Sequence, residues 1–384
     1  LYGDPGLGKS LMAKSFITES GLPAYIVRRD KGSDDFIGKI TDTFEKAKKN
    51  APAIVLLDDM DKFANEDDRH IDAEEYVAVQ AGIDEVKGCN VFVFATVNEI
   101  RKLPRSLIRS GRFDRKIEVN SPTDRDAEEI IKYYLAEKKV SDNVNMDDLV
   151  KMVSYGSCAE LETILNEAAI GAAYARKEKI EMDDLVKSVL RMQYDAPDNF
   201  TKKSSDALKE IALHEAGHLV VSEILTPGSV GLASLRTAGR DSTGGFIHRC
   251  MPVRRRAHHI LISLAGKAAV ELYYSGVCAS GCQSDIRKAA DNIRDAISES
   301  GTCGFGMIDV ANHRFPESSE SFNSRNESVV QAELERYMFK TREILIKNRD
   351  FLEKAAQMLS ERETLLYSDI RKLRESIKIT EVVL

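Results

Sequence analysis

Scarcity is informative in this 384-residue chain. Its six cysteines are too few for a disulfide framework and fit a reducing compartment, where thiols stay free. No stretch reaches 18 uncharged apolar residues, which argues against a transmembrane helix within the chain. Positive charge is not in excess: 55 Lys+Arg stand against 62 Asp+Glu, a net charge of −7. Retention of nucleic acid by bulk charge is therefore a poor fit. There is no internal repeat and no low-complexity tract. An initiating Met is also absent, and Leu1-Tyr2 runs directly into a glycine-rich loop. Such a loop normally follows a buried strand, so the chain reads as a piece of a longer protein, and a leader or anchor ahead of Leu1 stays open. What is present is ordinary: 43% hydrophobic and 30% charged residues, enough for two or three domains with buried cores.

Residues 1–120 alternate short apolar runs with amphipathic stretches. Ala53–Leu57 and Asn90–Ala95 are the clearest runs, and the pattern predicts a parallel α/β sheet. Ser121-Pro122-Thr123-Asp124 is a turn-like break. A helical pattern follows, with Leu161, Leu165, Ala168 and Ala169 on one face, which predicts a small helical domain. The polar, Pro-containing stretch 194–205 reads as a linker. Beyond it the pattern is helical again, except for a glycine-rich β excursion between Thr226 and Pro252. The last sixty residues read as long amphipathic helices.

Two motifs carry chemistry. In the run Gly3, Asp4, Pro5, Gly6, Leu7, Gly8, Lys9, Ser10, with Leu11 behind it, the spacing is that of a P-loop. Its glycines let backbone N–H groups turn toward phosphate oxygens, Lys9 reaches the terminal phosphates, and the Ser10 hydroxyl suits Mg²⁺. The apolar run ending in Asp58-Asp59 places a carboxylate where Mg²⁺ is held. Asp58 takes that role; Asp59 either aligns the attacking water or is a solvated strand-end acid. Asn98, past the next strand, is placed to sense the γ-phosphate. Arg112 and Arg115 in Gly-Arg-Phe-Asp-Arg are either arginine fingers for a neighbouring subunit or surface ion-pair formers.

The second motif is His214-Glu215-Ala-Gly-His218 within a helical run. Histidines at i and i+4 share a helix face and can hold one Zn²⁺, with Glu215 as general base. The position six residues past His218 is Ile224, and no Glu lies between Glu223 and Glu271. The third ligand is left open among His248, His258, His259, Glu271 and Asp285. Cys278 and Cys282 lie near Asp285 and read as buried thiols rather than ligands. The stretch Ser242–Ile247 is either a substrate-binding edge strand or a simple hairpin.

Lys9, Asp58, Asn98, Arg112 and Arg115 together resemble an AAA-type ATPase. The likeness extends to Ser157-Cys158-Ala159-Glu160-Leu161, with Cys in place of the family's Gly, and to Phe36-Ile37-Gly38, similar to its pore loop, with Phe36 as a plain core aromatic the alternative. Ala279–Ile286 resembles the zinc-ligand segment of FtsH-type ATP-dependent zinc proteases, which implies Asp285 as third ligand. The likeness continues through Gly266–Glu271, where Val270 replaces a supporting Glu, and through Gly304-Phe305-Gly306. It implies an α/β P-loop AAA module over 1–122, a parallel sheet with helices on both faces. A helical lid over 123–193 would follow, then, after the linker, a mostly α-helical zinc peptidase domain over 206–384. It also implies ATP, Mg²⁺ and Zn²⁺ as cofactors and a homo-hexamer that unfolds, translocates and cleaves protein substrates. Nucleic acid is not an expected partner. A cytoplasmic-side location with a membrane tether ahead of Leu1 is implied. One rival expectation is a remodelling ATPase with a degenerate peptidase, which Val270 leaves open; a second is a peptidase whose ATPase ring is only a scaffold, suggested by Asp59 in place of Glu and by the short pore loop.

Overall fold

The computed structural model describes residues 1–29, 35–64, 73–196, 205–236, 244–274, 282–300 and 320–382. Its contacts divide into two compact units, 1–126 with 155–163, and 127–154 with 164–384.

In the first unit, α1 (Lys9–Ser20), β1 (Ala24–Val27), α2 (Phe36–Lys49), β2 (Ala53–Leu57), α3 (Glu74–Glu85) and β3 (Val91–Ala95) alternate as the apolar runs predict. The strands pair in parallel in the order β1-β2-β3. The central strand β2 is buried at all five positions, the signature of a strand flanked on both sides and covered on both faces. Helix α2 buries Phe36, Ile40, Phe44 and Ala47 along one face. Asp35 caps its start by accepting the Gly38 N–H at 2.7 Å, and Lys46, Lys48 and Lys49 complement the dipole at its end. Because the strands are parallel, Arg28, Asp58, Asp59 and Thr96 all emerge at one edge of the sheet, where open α/β sheets build their sites. Bridges from Tyr2 to Val97 and Glu118 bring the glycine loop to that same edge.

The helical stretch from 124 onward comprises α4 (Asp124–Leu135), α5 (Met146–Met152), α6 (Cys158–Tyr174) and α7 (Met182–Tyr194). Leu161, Leu165 and Ala168 of α6 are buried, as the periodicity requires. After residue 204 come α8 (Ser205–Leu225), β4 (Val230–Ser234), β5 (Phe246–Arg249), α9 (Arg256–Tyr273), α10 (Cys282–Ser300), α11 (Glu320–Lys347), α12 (Arg349–Arg362), β6 (Thr364–Leu366) and α13 (Tyr367–Glu375). The final stretch is thus not purely helical. Three-residue β6 joins β4, giving an antiparallel sheet in the order β5-β4-β6. From Ala212 to Glu223 helix α8 is buried nearly all round, and its apolar residues sit in the core with those of α9, α10 and α12. Two glycines set its approach to α9. A Cβ on Gly217 would meet the Ala265 carbonyl oxygen at 2.5 Å, and one on Gly266 would meet the His214 and His218 rings at 2.4–2.5 Å. No helix among the described residues is long and apolar enough to cross a membrane.

Candidate active sites

In the glycine loop, Gly3, Gly6 and Gly8 have φ of 146°, 79° and 86°. A Cβ on Gly3 would lie 2.2 Å from the Val119 carbonyl oxygen, so the loop follows this path only with glycine there. Asp4, Pro5 and Gly6 line its exposed rim, Leu7 anchors it in the core, and Leu11 turns outward to solvent. Lys9 is buried, and its Nζ donates to the carbonyls of Gly3 and Asp4, each at 2.7 Å. Burial pushes its ammonium down, against the pull of Asp59, Asp61 and Asp4.

Ser10 Oγ donates to Asp58 Oδ1 at 2.8 Å, so the hydroxyl and carboxylate suited to Mg²⁺ already converge. Thr96 completes the arrangement. Fully buried just past β3, it donates to the same Asp58 oxygen at 2.7 Å and accepts the Asp59 N–H at 2.8 Å. Sequence reasoning missed Thr96. Its signal was a hydroxyl directly after the apolar run, one step beyond the Leu57–Ala95 register pair and therefore beside Asp58. Asp59 adopts a left-handed φ of 55°. Its Oδ2 lies 3.0 Å from Lys62 Nζ and 3.8 Å from Arg28. The Asn98 backbone N–H donates to Asp61 Oδ1 at 3.2 Å, and Asp61 is a second acid that the sequence reading passed over.

Arg112 and Arg115 part company in the structure. Arg112 donates to Gln80 Oε1 at 2.7 Å, the Ser106 carbonyl at 2.9 Å and Asp84 at 2.8 Å. It is a strut within its own unit, its side chain only 12% exposed. Arg115 is exposed, with no ion-pair partner among the described residues. Phe36 also departs from expectation: it is 6% exposed and meets Phe63 edge-on at 5.0 Å, a core aromatic rather than a projecting pore-loop residue. The turn at 155–159 lies against the glycine loop, Ala159 N–H donating to the Gly6 carbonyl at 3.1 Å. Ser157 and Glu160 form a reciprocal capping box, with bonds of 3.2 and 2.6 Å. Cys158 is tolerated in place of glycine because its φ is not positive.

The second centre is built on α8. His214 and His218 project from one face, and Asp285 arrives from the first turn of α10. The three donor atoms converge. His214 Nε2 lies 3.1 Å from His218 Nε2 and 3.2 Å from Asp285 Oδ2, and His218 Nε2 lies 3.3 Å from the same oxygen. Tetrahedral Zn²⁺ bonds of about 2.0–2.1 Å put ligand atoms about 3.3 Å apart, so this donor set fits the ion. Among the described residues it is the one His/Cys/Asp/Glu cluster able to hold a metal. Of the other candidates, His248 Nδ1 contacts the Tyr194 hydroxyl at 2.6 Å, His259 contacts the Val253 carbonyl, Glu271 pairs with Lys267 and Arg342, and His258 lies outside the cluster. Burial works against charge on Asp285, but hydrogen bonds from both imidazoles outweigh it and hold its carboxyl well below the usual range. His218 Nδ1 is fixed by the Ile262 carbonyl at 2.7 Å.

Glu215 is 4% exposed beside this cluster. Burial pushes its carboxyl up, opposed by the two histidines and by the Gly245 N–H, which donates to Oε1 at 3.1 Å. Gly245 immediately precedes β5, which among the described residues is an edge strand paired to β4 alone. Phe246 and Ile247 of that strand, with Val270 and Ser263, line a cleft of about 500 Å³ over the cluster. Cys278, Ser242-Thr243, the first residues of the Ala279–Ile286 motif and Gly304-Phe305-Gly306 lie outside the described residues.

The class that fold and sites define is a P-loop nucleotide module joined to a His-His-Asp metallopeptidase module. Comparison with known proteins agrees. Residues 1–121 match the ATPase family associated with various cellular activities (AAA), and residues 201–373 match peptidase family M41. Among curated relatives, the chain is 28% identical to ATP-dependent zinc metalloprotease FtsH 3 of Symbiobacterium thermophilum over 98% of its length. It is 29% identical to the FtsH of Streptobacillus moniliformis over 100% of its length, and 30% identical to that of Ruminiclostridium cellulolyticum over 78%. It spans 65%, 59% and 51% of those relatives' own lengths. The two models match in the order AAA then M41, the arrangement in which the chain resembles these FtsH relatives.

Proposed function

We propose that this chain is the catalytic part of an ATP-dependent zinc endopeptidase. The observation that carries the proposal is the convergence of His214, His218 and Asp285 within 3.1–3.3 Å, with Glu215 buried beside them. A bound Zn²⁺ supplies Lewis acidity toward a peptide carbonyl and acidifies water. Glu215 then does the proton work. The Gly245 N–H fixes its Oε1, leaving Oε2 to take the proton of the attacking water and deliver it to the departing amine. Burial raises this carboxyl's hold on the proton it takes up, as a base that later returns the proton requires. The substrate backbone is proposed to lie along the outer edge of β5 and to extend the sheet by one strand.

For the nucleotide, Lys9 would release the Gly3 and Asp4 carbonyls to meet phosphate, and Ser10 with Asp58 would hold Mg²⁺. Asp59 would align water after leaving Lys62, and Asn98 would read the γ-phosphate. Assembly in a ring, with six copies as the reading, would bring Arg115 of one subunit to the phosphates of the next. Arg112 then keeps the loop carrying Arg115 in place, rather than acting as a second finger. Substrates are proposed to be proteins, and the parent protein is proposed to be anchored to a membrane by segments outside this chain. The test of the peptidase centre is cleavage of an unstructured polypeptide with Zn²⁺ present. Glu215→Gln is expected to slow cleavage by about 10²–10⁴-fold while zinc is retained. Equal rates for variant and wild type would exclude Glu215 as the base.

A further inference from the structure

His214 and His218 face the metal position alike but are held differently behind it. A neutral imidazole that presents Nε2 to a metal carries its proton on Nδ1, and that N–H needs an acceptor to fix tautomer and ring angle. For His218 the acceptor is the Ile262 carbonyl at 2.7 Å. Behind His214 stands a sulfur: Cys282 Sγ is 3.9 Å from His214 Nδ1. Val270, which also lines the cleft, is buried and has no polar atom on its side chain.

Cys282 is itself 6% exposed, and it opens α10, three residues ahead of Asp285. One turn of one helix therefore reaches both ends of the His214 ring, with the Asp285 carboxylate at Nε2 and the thiol at Nδ1. The sulfur lies behind the ring and outside the donor cluster of His214, His218 and Asp285. We infer that Cys282 is a positioning residue: its sulfur accepts the His214 Nδ1–H and so orients Nε2 toward the metal, without itself binding the ion. This rests on the zinc-centre reading above.

The test measures Zn²⁺ affinity by chelator competition for the wild type, Cys282→Ala, Cys282→Ser and His218→Ala, each checked for intact fold by circular dichroism. Loss of the acceptor is expected to weaken zinc about 10–100-fold in Cys282→Ala. Serine keeps an acceptor and is expected to recover part of that loss. The visible bands of the Co²⁺-loaded protein should shift in Cys282→Ala, because the ring that carries one ligand is no longer held. Wild-type zinc affinity in Cys282→Ala would overturn the inference. So would a near-ultraviolet sulfur-to-cobalt band in the wild type that vanishes in Cys282→Ala, since the thiol would then be a ligand. If His218→Ala binds zinc like the wild type, the metal-centre reading fails, and that failure is distinct from failure of the Cys282 assignment.

Discussion

Gly266→Ala puts the packing account of the zinc centre at risk with a single methyl group. The added Cβ would lie 2.4 Å from His214 Cε1, 2.5 Å from His214 Nε2 and 2.5 Å from His218 Nε2. Ordinary van der Waals contact begins at 3.4 Å, so each ring, or α9 itself, must retreat by about 1 Å. Metal–ligand distances tolerate only about 0.2 Å. Both histidines would have to move together, while His218 stays tied to the Ile262 carbonyl, four residues before Gly266 on the same helix. Zinc affinity should therefore fall by at least about 100-fold, with about 1–3 kcal/mol of stability lost to overpacking. Zinc content after dialysis against a graded chelator series, with thermal melts alongside, reads both effects. Gly217→Ala is the comparator: its Cβ strikes the Ala265 carbonyl oxygen and Ala269 Cβ rather than an imidazole, so stability should drop with a smaller effect on zinc. Wild-type zinc retention in folded Gly266→Ala would refute the claim that the α8–α9 contact sets the ligand geometry.

Two further predictions concern groups outside the zinc ligands. Thr96→Val removes the hydroxyl that links Asp58 Oδ1 to the Asp59 N–H. It should cost about 1–3 kcal/mol of stability and raise the KM for Mg²⁺-ATP in a steady-state ATPase assay; an unchanged KM would show that Ser10 alone positions Asp58. Burial holds His248 down to about 4 from its ordinary 6.5, so between those values the unfolded chain binds the extra proton. Stability from this group is complete above about pH 6.5 and is lost as pH falls toward 4, by up to about 3 kcal/mol. His248→Gln should flatten the melting temperature over that window, and an unaltered slope would assign the acid sensitivity to other groups.

The reach of the sequence followed the range of the interactions. The glycine loop and the His214–His218 pair were legible because their chemistry is written into consecutive residues and one helical turn. Asp285 lies 71 residues from His214, and spacing alone left it level with four other candidates; resemblance singled it out, and the fold brings its Oδ2 within 3.2 and 3.3 Å of the two imidazoles. The Gly217–Gly266 seam could not be read, because a glycine required by a neighbouring helix looks like any other glycine until the helices are packed. Arg112 resembled Arg115 in sequence and differs from it through Asp84 and Gln80, both distant in the chain, and through the nearby Ser106 carbonyl. Phe36 went the same way, its burial depending on Phe63. Strand β6 escaped notice because three residues between helices carry no periodicity, and only β4, some 130 residues earlier, makes them a strand.

The coupling of the two centres is the central claim, and degradation of a folded reporter bearing an unstructured tail tests it most directly. The full-length protein would be assayed with Zn²⁺, with and without ATP, beside Lys9→Ala and Glu215→Gln. The account predicts loss of the reporter only when ATP, Lys9 and Glu215 are all present. Degradation that continues in Lys9→Ala would contradict the coupling, and a reporter unfolded by ATP yet never cleaved by the wild type would contradict the peptidase.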